Sequence, residues 1–152
     1  MDTLEDGAPR YELRVDRDGK WFHEGMEVVR EDIRNYFSQH LVRNESGGYC
    51  VRVGEDECPV IVEDAPFVVV RVIEKPEGAL TLLLSDGGTE PLDVRTLEFK
   101  DSNVPYCRVR GGLETRFSRP AYYQLAEFIE YDEATGKYRL AVYGQVTDLK
   151  ID

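Results

Sequence analysis

The chain has 152 residues, 41% of them hydrophobic, and 30 acidic against 19 basic side chains give it a net charge of −11. That length suits one compact domain or two small packed halves, burying roughly two-thirds of the unfolded surface. The acidic balance repels phosphate backbones and argues against general DNA or RNA binding, and no apolar run approaches the roughly 20 residues that insert across a bilayer. Residues 1–10 carry acids and Pro9 where an export signal needs an apolar stretch, so a cytoplasmic location is expected. Cys50, Cys58 and Cys107 fit no metal or redox spacing and are expected to be reduced, mostly buried thiols.

Residues 1–9 have almost nothing to bury and are expected to form a mobile tail. Tyr11, Leu13 and Val15 then alternate with polar residues, Asp18-Gly19 supplies a turn, and Trp21-Phe22 opens a second strand. Ile33, Tyr36, Phe37, His40 and Leu41 recur at three- and four-residue intervals, which predicts a helix between Arg30 and Arg43 with Glu31 and Asp32 at its positive end. The β-branched and apolar runs over 49–53, 60–62, 67–73 and 80–84 predict a meander of antiparallel strands.

A weaker strand is expected through Leu92, Val94 and Leu97, and a firmer one over 106–110. Ser118 or Arg119 caps a second helix with Pro120 in its first turn and Tyr122, Leu125, Ala126 and Ile129 as its buried stripe. A last strand is expected over 138–143. The fold class is α+β, mainly antiparallel strands with two helices. Shifting the chain by 89 residues aligns Arg30 with Arg119, Gly47 with Gly136, Tyr49 with Tyr138 and Val53 with Val142 without gaps. Either the chain is internally duplicated, or two unrelated helix–turn–strand units share the same punctuation.

Arg108, Arg110, Arg116 and Arg119 form the densest cationic feature of an otherwise acidic chain. On a strand Arg108 and Arg110 share a face, Gly111-Gly112 lets backbone N–H groups approach an anion, and the second helix starts close by. Arginine forks with fixed N–H donors are what carboxylate or phosphate recognition needs. The alternative is that these arginines pair with Glu63, Asp64 and the acids of the second helix. Glu63 and Asp64 point to opposite faces of a strand and do not make a catalytic pair; Glu63 suits the orientation of an arginine. Trp21 and His23 share a strand face, where they either line a groove as ring contacts or, in the case of Trp21, anchor the core. Two histidines without a marked nucleophile suggest no catalytic set, and no metal or cofactor site is expected.

The segments 18–25 (DGKWFHEG), 62–67 (VEDAPF) and 106–113 (YCRVRGGL), with Arg119 and Tyr123 beyond, resemble a bacterial family catalogued as domain of unknown function 1285. The resemblance spans residues 17–143. It implies a duplicated core of two α+β halves, 10–64 and 65–152, the second superficially like a pleckstrin-homology fold. It also implies a ligand site between the halves, a nucleotide-like ligand, and a role in signal transduction. The chain departs from the family's pattern at Ser85-Asp86-Gly87-Gly88 and at Val142-Tyr143-Gly144-Gln145.

These readings combine into a non-enzymatic ligand-binding or sensor module. Arg108, Arg110 and Arg119 would hold a small anionic or nucleotide-like ligand, with Trp21 and His23 as ring contacts and Glu63 orienting an arginine. A protein–protein adaptor without a small-molecule ligand is the second reading, and an enzyme acting on nucleotides the third.

Overall fold

The computed structural model describes residues 12–100, 103–142 and 145–151, so the expected tail over 1–9 lies outside the described residues. The chain divides after Pro66 into two units, each taken by itself below.

Unit 1 opens with a hairpin. β1 (Leu13–Val15) and β2 (Trp21–His23) pair antiparallel, with Leu13 opposite His23 and Val15 opposite Trp21. The turn holds because Asp16 Oδ1 accepts the backbone N–H groups of Asp18 and Lys20, both at 2.9 Å, while Gly19 takes a φ of 84°. After β3 (Met26–Glu27) come α1 (Glu31–Gln39) and a meander of β4 (Leu41–Arg43), β5 (Tyr49–Val53) and β6 (Asp56–Val62). β6 returns parallel to β1, which completes a six-stranded sheet in the order β3-β2-β1-β6-β5-β4.

The first helix is shorter than its apolar stripe. The His40 N–H is shared between the Tyr36 and Phe37 carbonyls at 3.2 Å, and its ring Nδ1 lies 2.8 Å from the Tyr36 carbonyl, which fixes the proton on Nδ1. Leu41 therefore leaves the helix and is buried on β4 opposite Val51.

Trp21 is the anchor of this unit, 1% exposed. Its ring centroid lies 5.4 Å from that of Phe37, and its indole N–H donates to the hydroxyl of Ser38 at 3.1 Å, also buried. Burying 150–250 Å² of indole at about 25 cal/mol per Å² contributes roughly 4–6 kcal/mol, which pins α1 to the sheet.

Unit 2 runs β7 (Phe67–Glu74), β8 (Leu80–Leu84), β9 (Thr89–Pro91), a 3-10 turn (Val94–Thr96), β10 (Glu98–Lys100), β11 (Val104–Val109) and β12 (Leu113–Phe117). Then come α2 (Arg119–Ala126), β13 (Ile129–Asp132), β14 (Lys137–Val142), β15 (Gln145–Asp148) and β16 (Lys150–Ile151). The main sheet is ordered β16-β10-β11-β12-β7-β8-β9, and β13-β14-β15 form a second sheet. Where a weak strand is predicted through Leu92–Leu97 there is instead the 3-10 turn, because Asp93 accepts the Arg95 N–H at 3.1 Å and winds the backbone. α2 starts as the sequence predicts: the Ser118 hydroxyl accepts the Ala121 N–H, and Pro120 sits in the first turn. Its buried residues are Ala121 and Leu125, and Ile129 has already passed into β13.

The predicted meander is also interrupted by parallel pairs, β1 with β6 and β7 with β12. Each closes a sheet around a helix-containing or hairpin connection, which strand patterning alone does not reveal. The shift of 89 residues has a structural counterpart. In the β5–β6 hairpin Val53 lies opposite Asp56, and 89 residues on, in the β14–β15 hairpin, Val142 lies opposite Gln145. Arg52 N–H donates to the His40 carbonyl and Ala141 N–H to that of Phe128, both at 2.9 Å, and Gly47 and Gly136 both have positive φ. The helix–strand–hairpin block is thus present twice in an antiparallel-dominated α+β fold.

Ser38→Ala leaves the buried indole N–H of Trp21 without an acceptor and is expected to cost about 1–2 kcal/mol. A lower urea midpoint, followed through the fluorescence of the single Trp, checks this; an unchanged midpoint contradicts it.

Candidate functional site

Arg108, Arg110 and Arg119 all belong to unit 2, but they do not form one open cation cluster. β11 ends at Val109, so Arg110 stands in the following turn with a φ of 52°, ahead of Gly111 and Gly112 at 79° and 131°. It therefore does not share a strand face with Arg108, as the sequence suggests. The Arg110 N–H donates to both carboxylate oxygens of Glu90, at 3.1 and 3.2 Å. Its guanidinium reaches Asp86 Oδ2 at 2.7 Å and Glu90 Oε1 at 3.6 Å.

The Asp86 side chain is 3% exposed, and its other oxygen accepts the Gly88 N–H at 2.8 Å. A Cβ at Gly88 would lie 2.5 Å from Arg110 Nη2, so a side chain there would push the guanidinium aside. The backbone N–H and guanidinium of Arg110, which the sequence offers to an anion, thus hold two of the protein's own carboxylates, Asp86 and Glu90. Arg108 Nη1 donates to the Gly112 carbonyl at 3.1 Å, and the Arg116 guanidinium lies over the Tyr106 ring. Arg119 is exposed as the first residue of α2.

Glu63 lies in unit 1, where its carboxylate forms an exposed ion pair with Arg17 at 3.6 Å. Trp21 is a core anchor: with 1% of its surface exposed, it offers no ring face to a ligand. His23, two residues on along the same strand face, is exposed and borders a groove of about 560 Å³.

The groove follows from element lengths. A nine-residue helix is about 14 Å long and the seven-residue β6 about 23 Å, so α1 cannot cover the sheet face on which Trp21 holds it. Cross-strand register puts Leu13, His23, Val51, Cys58, Val53 and Asp56 on that face, where they line the open part. α1 supplies the wall through Phe37 and Tyr36; the Tyr36 ring rests on that of His40, with centroids 4.3 Å apart, yet the residue is 43% exposed. This volume and largely apolar, aromatic lining are those of a small-molecule site. The rim carboxylate of Glu57 is tied to Arg52 at 2.8 and 3.0 Å.

Sequence reasoning missed the groove, apart from His23. Its available signal was a helical stripe holding two aromatic rings and an imidazole, more than so short a helix can bury. Among the described residues no group of His, Cys, Asp and Glu is arranged to hold a metal ion, and no helix is long and apolar enough to cross a membrane. Burial, reinforced by the charges of Glu90 and Asp93, pushes the Cys107 thiol up to about 12, and burial also raises that of Cys58 in the groove wall.

Two family models match the chain. Residues 6–65 match the N-terminal domain, and residues 66–147 the C-terminal domain, of the protein of unknown function DUF1285. A DUF1285 family protein from Silicibacter pomeroyi DSS-3 is similar in structure, with a TM-score of 0.74 and 26% identity over 93% of this chain and 80% of that one. Another, from Shewanella baltica OS155, superposes with a TM-score of 0.66 at 21% identity over 77% of this chain and 91% of that one, a likeness of fold. No curated protein matches.

Arg110→Ala removes a cation from the buried Asp86 carboxylate and is expected to destabilise unit 2 by roughly 2–3 kcal/mol, less than the roughly 3–5 kcal/mol of a fully buried pair because the guanidinium keeps a third of its surface in water. Adding Asp86→Asn should restore part of the loss in chemical denaturation; an unaltered Arg110→Ala protein contradicts the clamp. In native protein at pH 8, iodoacetamide should modify Cys58 before Cys107, with mass mapping as the readout. Early modification of Cys107 counts against its burial.

Proposed function

Since the chain belongs to the DUF1285 family, described as of unknown function, we propose from its geometry that it is a non-enzymatic binding module whose small-molecule site is the groove of unit 1. The observation that carries this is the half-exposed Tyr36 ring facing an apolar sheet surface that the short α1 leaves uncovered.

The ligand is a flat, ring-bearing molecule. Its ring packs against Tyr36 and Val53, with His23 as a polar contact at the edge. For a nucleotide-like molecule this is a place for the base; the phosphates find no Lys or Arg among the described lining residues. An anion at Arg110 would first have to displace Glu90. A signalling role fits a site whose wall, Phe37, also packs on Trp21: a ligand that favours one position of α1 shifts the population of that position.

An adaptor is the second reading, and the observation in its favour lies in unit 2. Tyr131 and Tyr138 form a cross-strand ring pair with centroids 4.9 Å apart, although they are 54% and 45% exposed.

A thermal-shift screen of neutral aromatic compounds tests the first reading, because a ligand of the native state raises the melting temperature with the logarithm of its concentration over its Kd. Tyr36→Ala should weaken a hit about tenfold and Arg110→Ala should leave its affinity unchanged. No shift from any compound at several millimolar, or undiminished binding by Tyr36→Ala, overturns it.

A further inference from the structure

The groove's charge says which ring-bearing molecules it takes, and on this basis we propose that it selects organic cations, meaning an aromatic ring carrying an ammonium group. This inference rests on the groove being the ligand site.

Among the described residues that line the groove are two carboxylates, Asp56 and Glu57, and no Lys or Arg. They are not equivalent. Glu57 stands opposite Arg52 in the β5–β6 register and is bound to it through both Nε and Nη2, so its charge is already matched. Asp56 stands opposite Val53, one residue back along β6 and hence on the other face of the sheet. That parity keeps Arg52 away from Asp56, which has no ion pair among the described residues. The two-residue turn at Gly54-Glu55, with Gly54 at a φ of 62°, fixes Asp56 at the hairpin end beside the exposed Val53.

Among the described residues, a ligand in this groove therefore meets an apolar floor, an aromatic wall and one carboxylate outside any ion pair. An ammonium group satisfies all three: its carbon body covers Val51 and Val53, its charge faces Asp56, and the Tyr36 ring offers its negative π face. A neutral ring gains the floor and the aromatic wall but not the carboxylate. An anion places like charge against Asp56 with no basic side chain in the lining to offset it. The chain's net charge of −11 adds to the same preference by attracting cations and repelling anions at long range.

The test compares three probes that share one ring and one linker but differ in charge: 2-phenylethylamine, 2-phenylethanol and phenylacetate. Binding to the full chain is read by the fluorescence of Trp21, the single Trp, whose ring packs on the groove wall at Phe37. The amine is expected to bind about tenfold more tightly than the alcohol, and phenylacetate more weakly than either. Asp56→Asn should bring the amine down to the affinity of the alcohol while the alcohol's own affinity stays the same, which also shows that the variant is folded. Equal affinity of amine and alcohol for the native chain overturns the charge preference and leaves the groove standing. Tightest binding of phenylacetate overturns the preference in the opposite direction. No response to any of the three removes both the preference and the site it rests on.

Discussion

The attachment of α1 to its sheet through Trp21 governs what unit 1 presents to solvent. The indole is packed against Phe37 and hydrogen-bonded to Ser38, so the helix is attached to the sheet through this contact, and its nine residues end where His40 caps them. Beyond that point the sheet lines the groove. The groove is the unoccupied remainder of a packing surface: its floor has core-like residues such as Leu13 and Val51, whereas its wall carries rings that a longer helix would have turned inward.

Unit 2 shows the opposite arrangement. There a left-handed Arg-Gly-Gly turn gathers backbone and guanidinium donors into a cradle of the kind that holds anions, and the chain fills it with its own carboxylates. Asp86, almost completely buried, is held from both sides by Gly88 and Arg110, so the cradle clamps the β8–β9 turn to the β11–β12 turn. The same donor chemistry serves binding when the carboxylate comes from outside and stability when it comes from within.

Much of this fold was legible in the chain. The hairpin at Asp18-Gly19, the strand 80–84, the Ser118 cap with Pro120, and the shift of 89 residues each rest on local backbone preferences, which act over a few residues and leave a mark in the sequence. Leu41 and Arg110 were misplaced because their positions depend on where an element stops, and both stops are set by a few hydrogen bonds: the His40 cap in one case, the Glu90 carboxylate on the Arg110 N–H in the other. The site was less legible than the fold. His23 was singled out as a ring contact on the Trp21 face, but Tyr36, Val53 and Asp56 come together only through the β5–β6 register and the shortness of α1. The arginines drew attention by their density, while the acids that occupy Arg110 stand 20 and 24 residues away from it.

The central claim is that a ring-bearing ligand sits on the sheet face that α1 leaves open. Intermolecular nuclear Overhauser effects locate a ligand independently of how tightly it binds. For the chain saturated with an aromatic probe, cross-peaks are predicted from the probe's ring protons to the methyl groups of Val51 and Val53 and to the ring of Tyr36. Cross-peaks confined to residues of unit 2 around Arg110 and Glu90 would contradict the account.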